Sequence, residues 1–238
     1  MDGATKSGYI PMKLDDEQDE QVRSPSVAPL LDNIDLGEPV ARYEINELFN
    51  RPYTIYRGAP SDEVDAAWDA IAEVGIVLIS GEDVRGLGKD PSRTVKAPPE
   101  WDAHLAQIDG QHQIHCLNVL RKWGHYDYYF RPKFGDDPGL LHNSHRDHCV
   151  MLLLQTLTCQ PSLDLITHNW VETQQYPVPD FNMNRKCKSH DRIIDWQRSN
   201  MITMDQWDEI RPQPGDFFLP LWPELVEINK QNGWNGTR

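Results

Sequence analysis

The chain has 238 residues, of which 39% are hydrophobic and 25% are charged. This composition is close to that of average globular domains, so it excludes a fibrous repeat or a wholly disordered chain. The 37 acidic and 23 basic residues give a net charge of −14, which argues against a protein that binds the phosphates of nucleic acids.

The apolar stretches of the sequence are short. The longest, residues 150–157, has the length of a core helix and falls well below the roughly 20 residues of a membrane span. The first 21 residues are acidic and lack the apolar segment of a signal peptide. We therefore predict no membrane span and no signal peptide in this sequence.

Residues 1–50 differ in composition from the rest of the chain. They hold 11 acidic and four basic residues, few aromatic residues and four prolines. Such a stretch buries too little apolar surface to offset the entropy of ordering it. We predict a disordered or loosely attached acidic leader over residues 1–50 and a single folded domain over residues 51–238.

The apolar pattern and the capping residues of the second part predict a mainly helical α+β fold. Ser61, followed by Asp62 and Glu63, favours the start of a helix that ends before Gly75. A short buried strand follows at residues 76–79. Further along, the pattern predicts a loop at 81–99, helices at 110–123 and 141–158, a strand at 165–171, a helix at 191–201 and an irregular, proline-rich tail.

One short motif occurs twice. Residues 112–116 and residues 145–149 both read His-x-x-His-Cys. With nine histidines and four cysteines in the chain, about 0.006 copies are expected by chance, so two copies indicate a functional site.

Both motifs lie in segments with helical periodicity. Residues three apart on a helix are neighbours on one face, so His112 and His115 converge, as do His145 and His148. Two such helices packed face to face, among short strands and long irregular loops, bring four imidazoles together. Cys116 and Cys149 lie on the same side of their helices, and the sequence leaves them open as ligands or as a disulfide. His142, one turn upstream, is a candidate fifth imidazole.

Several metals suit such a site. A nitrogen-rich site favours copper, whereas histidine and cysteine together also suit a closed structural zinc site. Non-haem iron needs a carboxylate, for which Asp109 and Asp147 are the nearest candidates. Hydrolysis by a glutamate-activated water is disfavoured, because Gln113 and Arg146 follow the first histidine of each motif.

At these residues the sequence resembles the UstYa-like family of fungal oxidases, whose hallmark is the doubled His-x-x-His-Cys motif. The resemblance runs from about Tyr53 to Trp196. Outside the hallmark it includes the residues that lead into the first helix and two later segments, namely 56–61 with Asp65 and Trp68, 159–164, and 187–191 with Trp196.

The resemblance implies a copper- and O2-dependent oxidase. Such an enzyme functionalises a C–H or X–H bond of a natural-product precursor, a small molecule or a ribosomally made peptide, by oxidative cyclisation, hydroxylation or halogenation with a halide. His112, His115, His145 and His148 would be its catalytic and metal-binding residues. Relatives often act as pairs, so assembly with itself or with a related oxidase is also implied.

The sequence departs from the family pattern in two places. Relatives usually carry an N-terminal membrane span and face the secretory lumen, and no span is found here, so the compartment is left undecided. The usual histidine before Cys187 is replaced by Arg185, with His190 nearby as a substitute.

The resemblance also bears on the cysteines, because disulfides persist in the secretory lumen. It favours a structural disulfide between Cys159 and Cys187. It also favours a disulfide between Cys116 and Cys149 over thiolate ligation by these two residues.

Overall fold

The computed structural model describes residues 34–44, 54–231 and 233. About half of the structure is helical, with a few short antiparallel strands, which confirms the predicted mainly helical α+β class. In chain order the elements are β1 (Val40–Glu44), α1 (Asp62–Ala72), β2 (Ile76–Ile79), α2 (Gly81–Gly86), β3 (His104–Gln107), α3 (Asp109–Gly124), α4 (Tyr126–Tyr129), α5 (Arg131–Phe134), α6 (Gly139–Cys159), β4 (Thr167–Asn169), β5 (Val178–Asp180), β6 (Met183–Cys187), α7 (His190–Asn200), α8 (Met204–Glu209) and α9 (Pro223–Gln231).

Helix α1 begins and packs as its sequence predicts. The side chain of Ser61 accepts a hydrogen bond from the backbone N–H of Val64 at 3.3 Å, which satisfies one of the unpaired donors of the first turn. Val64, Trp68 and Ala72 recur at four-residue intervals and are all buried, so one apolar stripe of α1 faces the core.

The strands form three separate antiparallel pairs: β1 with β6, β2 with β3, and β4 with β5. In the central pair Ile76 lies opposite Gln107 and Ile79 lies opposite His104. Val77 is fully buried there, as the short apolar run predicts. Strand β3 leads directly into α3, so this pair fixes where α3 begins.

Strand β1 lies within the range assigned to the leader. Val40 pairs with Cys187, and the register continues to Glu44 opposite Met183. Residues 40–44 are therefore an exception to the predicted disordered leader: the pairing with β6 supplies backbone hydrogen bonds that composition alone does not reveal. Residues 1–33 lie outside the described part of the chain.

Helices α3 and α6 pack against each other as a helical hairpin. The short helices α4 and α5 make the connection. An aromatic cluster of Trp123, Tyr126, Phe130 and Phe134 occupies this closed end of the hairpin, with ring centroids of Trp123 and Phe130 4.7 Å apart. The predicted helices 110–123 and 141–158 thus agree with the structure to within a few residues.

A polar cluster fixes the hairpin to α1. Asp65 on α1 accepts hydrogen bonds from Arg121 on α3 at 2.5 Å and from the Tyr129 hydroxyl on α4 at 2.6 Å. Arg121 also donates to Asn118 at 2.9 Å. Only about 10% of the Arg121 side chain is exposed, so this ion pair is largely shielded from solvent.

Three regions differ from the sequence-based expectation. The predicted loop 81–99 begins with α2, whose capping box joins Ser80 and Asp83. The predicted irregular tail contains α8, which starts with a second capping box at Thr203 and Gln206, and α9. The predicted strand 165–171 is reduced to β4. The first two differences arise because short helices depend on local caps rather than on long apolar periodicity.

The outer face of α6 is apolar and exposed. Met151 and Leu154 are each 53% exposed and Leu157 is 70% exposed. Within the described residues, no helix is both long and apolar enough to cross a membrane.

Candidate metal centre

Both His-x-x-His-Cys motifs lie on the facing sides of the hairpin. His112, His115 and Cys116 project from α3, and the second motif occupies the middle of α6. The two cysteines are fully buried, while the four histidines are half-buried or, at His148, exposed. The helical period therefore turns the thiols into the interface and leaves the imidazoles nearer its edge.

The four imidazoles form two pairs that bridge the helices. The ring centroids of His112 and His148 are 5.5 Å apart, and those of His115 and His145 are 5.6 Å apart. Along α3, the rings of His112 and His115 are 6.0 Å apart. The structure thus brings together the four histidines that the motif singled out.

One subset is more compact than the rest. The ligand atoms of His112, Cys116 and His148 all lie within 4.8 Å of one another. The sulfur of Cys116 is 4.0 Å from Nε2 of His112. His115 and His145 lie beside this set and are not part of it, so the tightest group contains a thiol rather than four imidazoles.

The two buried thiols interact with each other across the interface. Burial, together with the hydrogen bond and the charge of the neighbouring Cys116, raises the pKa of Cys149 to about 12. When reduced and metal-free, Cys149 is therefore a protonated thiol at neutral pH. It acts there as a small apolar group in the helix interface.

The inner pair of imidazoles is held in the neutral form. Burial lowers the pKa of His115, and the nearby His145, His112 and Lys122 lower it further. Burial likewise lowers the pKa of His145, with contributions from His148, His112 and His142. A neutral imidazole keeps a lone pair available to a metal ion.

These shifts predict how the stability of the metal-free protein depends on pH. The folded-state pKa values of His115 and His145 lie below the usual value of about 6.5 in the unfolded chain. As the pH falls below that value, the unfolded state binds protons that the folded state does not, so the free energy of unfolding decreases. We expect a His115→Gln/His145→Gln double variant to show a flatter dependence in urea unfolding between pH 7 and 5.

The matched control is His168→Gln, which alters an exposed histidine on β4 and should keep the wild-type slope. If the double variant showed the wild-type dependence of unfolding free energy on pH, the lowered pKa values of His115 and His145 would be contradicted.

His142 is placed away from the compact set. Its ring packs against Phe134 with centroids 4.6 Å apart and near Phe130 at 6.1 Å. It belongs to the aromatic cluster at the closed end of the hairpin, one turn from His145. His142, predicted as a candidate fifth imidazole, therefore lies next to the site and outside its tightest group.

The two carboxylates considered for iron are engaged elsewhere. Asp147 is 67% exposed and pairs with Arg146 at 2.8 Å, and Asp109 accepts a hydrogen bond from Gln113 at 2.7 Å. Among the residues that the structure describes, the compact ligand group contains no carboxylate. This donor set differs from the two-histidine, one-carboxylate site of ferrous oxygenases.

Sequence reasoning missed Gln111, the residue before the first histidine. Its side chain is fully buried, and its Nε2 donates to the carbonyl oxygens of Ile71 at 3.3 Å and Glu73 at 3.2 Å. Its Oε1 lies 2.6 Å from Nε2 of His190. Gln111 thereby joins α1, the first turn of α3 and α7. His190 therefore contacts Gln111 and is not part of the group of four motif imidazoles.

The other two cysteines lie apart from the motifs. Cys159 is exposed at the end of α6, and Cys187 is half-buried at the end of β6. Their predicted disulfide stays a prediction.

Comparison with protein families identifies the chain. The family model described as mycotoxin biosynthesis protein UstYa matches residues 8–200. The chain belongs to the UstYa family. The match includes both motifs, the whole hairpin and Gln111, and it confirms the family resemblance of the doubled motif.

Curated relatives carry the same family name. The UstYa family oxidase aprY of Aspergillus flavus is 36% identical over 208 residues, which cover 82% of this chain and 61% of that protein. The UstYa family oxidase phomYc of Diaporthe leptostromiformis is 28% identical over 156 residues, 63% of this chain and 60% of that protein. The chain thus spans about three fifths of the length of these UstYa family relatives. No solved structure matches the chain significantly.

Proposed function

We propose that this UstYa family protein is a copper- and O2-dependent oxidase that functionalises a C–H or X–H bond of a fungal natural-product precursor. The observation that carries the proposal is the pairing of four motif imidazoles across α3 and α6. Family membership and relatives that are named oxidases support the reaction class.

The donor set fits copper. Imidazole suits copper, and thiolate ligands are compatible with its reduced state. The centroids of neighbouring imidazole rings lie 5.5 to 6.0 Å apart, which leaves room for an ion between two facing rings. His112, His115, His145 and His148 would hold the ion. Bound copper would supply one-electron redox and O2 chemistry.

The chain itself supplies position and access. The packing of α3 on α6 fixes the spacing of the imidazole pairs, and Gln111 ties the first turn of α3 to α1 and α7. His148 is on the exposed edge of the group, so substrate and O2 have access from that side. The inner pair, His115 and His145, is kept neutral by burial.

The proposed substrate follows from the family description, which names mycotoxin biosynthesis. We propose a secondary-metabolite precursor, either a small molecule or a ribosomally made peptide. Oxidative cyclisation, hydroxylation and halogenation with a halide are all compatible with a redox metal on an exposed edge.

A second candidate function has one observation in its favour. The tightest ligand group, His112, Cys116 and His148, combines two nitrogens and one sulfur, which are three of the four donors of a closed structural zinc site. Such a site would hold α3 and α6 together without turnover.

Metal quantitation with electron paramagnetic resonance on the purified protein separates the two functions. The oxidase proposal expects one or two copper ions per chain and a cupric signal. Tightly held zinc without a cupric signal would overturn it in favour of the zinc-stapled domain.

The state of the buried thiols gives an independent test. We propose that Cys116 and Cys149 form a disulfide: their two S–H bonds are lost, two protons leave, and two electrons pass to a disulfide oxidant of the secretory type. A disulfide excludes thiolate ligation and leaves an all-imidazole site. Mass spectrometry after alkylation should show this pair protected and 2 Da lighter, whereas two alkylated thiols after metal removal would contradict it.

Reconstitution distinguishes copper from iron. Because the ligand group holds no carboxylate among the described residues, the metal-free protein should regain activity with copper and O2. It should stay inactive with ferrous iron and 2-oxoglutarate, and with copper under anaerobic conditions in the presence of a reductant. Full activity with ferrous iron alone would overturn the copper assignment.

A further inference from the structure

A basic pocket lies outside the hairpin, at the carboxyl end of α2. It has a volume of about 480 Å³ and is lined by Arg85, Gly88, Lys89, Asp90, Pro91 and Arg93. Three cations thus surround one cavity in a chain whose net charge is −14. A positive pocket on so acidic a protein favours an anionic ligand.

The three cations make no ion pair within the described part of the chain. By contrast, Arg121, Arg192 and Arg198 all pair with carboxylates. The one carboxylate in the pocket, that of Asp90, accepts a hydrogen bond from the backbone N–H of Ser92 at 2.8 Å.

The side chain of Arg93 is held in place at the pocket wall. Its guanidinium lies 4.5 Å above the centre of the Phe217 ring. This contact orients a planar group that binds carboxylates through two parallel hydrogen bonds.

The backbone of the pocket disfavours a phosphate ligand. Phosphate sites use free N–H groups at a helix amino end or in a backbone nest. Here the N–H groups of Leu87, Gly88 and Lys89 all donate to carbonyl oxygens of α2, so they are not available to a phosphate. Recognition therefore rests on side chains, and the cavity is large enough for several amino-acid residues.

The pocket is connected to the strand that leads into the hairpin. Thr94 contacts Nδ1 of His104 at 2.8 Å, and the carbonyl of Val95 accepts from Leu105 at 3.1 Å. His104 precedes His112 by eight residues, so their backbones are at most about 30 Å apart. An extended peptide of about ten residues can therefore span both places.

We propose that this basic pocket is a docking site for closely spaced carboxylates of a peptide substrate, separate from the imidazole group. The substrate role rests on the proposed oxidase function, whereas the binding itself does not require a metal. Each exposed ion pair is weak on its own, so a ligand needs two or more carboxylates to be held.

The test measures binding to the metal-free, full-length chain by isothermal titration calorimetry. The probe is an acetylated, amidated pentapeptide with four glutamates around a central glycine. Its glutamine counterpart and inorganic phosphate are the comparison ligands. The pocket variant is Arg85→Gln/Lys89→Gln/Arg93→Gln, and the matched control is Lys188→Gln/Arg211→Gln/Lys230→Gln, which removes the same charge from exposed positions elsewhere.

We expect the acidic peptide to bind the wild type and the control equally and the pocket variant at least tenfold more weakly. The glutamine peptide should not bind. Equal weakening in both triple variants would reduce the effect to net charge and overturn the proposal. Binding of phosphate without the peptide, or no peptide binding at all, would also overturn it.

The two proposals fail in distinguishable ways. Binding of the acidic peptide by a protein that holds no copper would support the pocket proposal and contradict the oxidase proposal. Copper in a protein that does not bind the peptide would contradict the pocket proposal alone.

Discussion

For the proposed copper oxidase, replacing His148 with alanine is expected to abolish copper binding and to lower oxidase turnover by more than about 100-fold. Loss of a residue that merely orients a metal ligand typically costs 10- to 100-fold, and His148 is assigned as a ligand itself. Because its side chain is exposed, the variant should unfold at nearly the same denaturant concentration as the wild type. Copper content by mass spectrometry and turnover with O2 are the measurements.

The control for this variant is His168→Ala, on the exposed strand β4. It should keep the full copper content and turnover. Retention of copper and turnover in His148→Ala would refute its assignment as a ligand. Loss of copper together with global unfolding would instead show that this edge of the hairpin is structural.

Replacing Gln111 with methionine is expected to lower the free energy of unfolding by about 2–4 kcal/mol. The substitution keeps the side-chain length and removes the hydrogen bonds that Gln111 makes with the Ile71 carbonyl and with His190. It also removes one of the two hydrogen bonds to the Glu73 carbonyl, which still accepts from Gln197. Each buried polar group left without a partner costs about 1–3 kcal/mol. Urea unfolding of the metal-free protein measures the change.

Gln155→Met is the matched control, because Gln155 lies exposed on α6 and should change stability by less than about 0.5 kcal/mol. If Gln111→Met unfolded at the wild-type midpoint, the tie between α1, α3 and α7 would carry little of the stability. The proposed support for the first turn of α3 would then fail as well.

The parts of the fold that sequence predicted are those set by local physics. The Ser61 cap, the apolar stripe of α1 and the four-residue strand β2 all follow from neighbours within one or two turns. The helices that bear the motifs were predicted for the same reason. The doubled motif then named the four histidines that the structure brings together.

The remaining features depend on partners far apart in the chain. Pairing of β1 with β6 joins residues 139 to 147 positions apart, and the contact of Gln111 with His190 joins residues 79 apart. Periodicity carries no information about such partners. The compact group with Cys116 likewise depends on how far α6 is shifted along α3, which no single-helix pattern determines.

All the candidate ligands come from one continuous stretch, residues 109–159, which bears on how the proposed site would acquire a metal. The two ligand-bearing helices are joined by residues 125–138, and closing a loop of about ten residues takes only about 10–100 ns. The strand pairing between residues 40–44 and 183–187 closes a far longer loop and has to wait for synthesis of β6. The imidazoles can therefore meet while the chain is still emerging from the ribosome. A metal could then enter the site before the β1–β6 pair forms, and the exposed His148 also leaves the site open to loading in the finished protein.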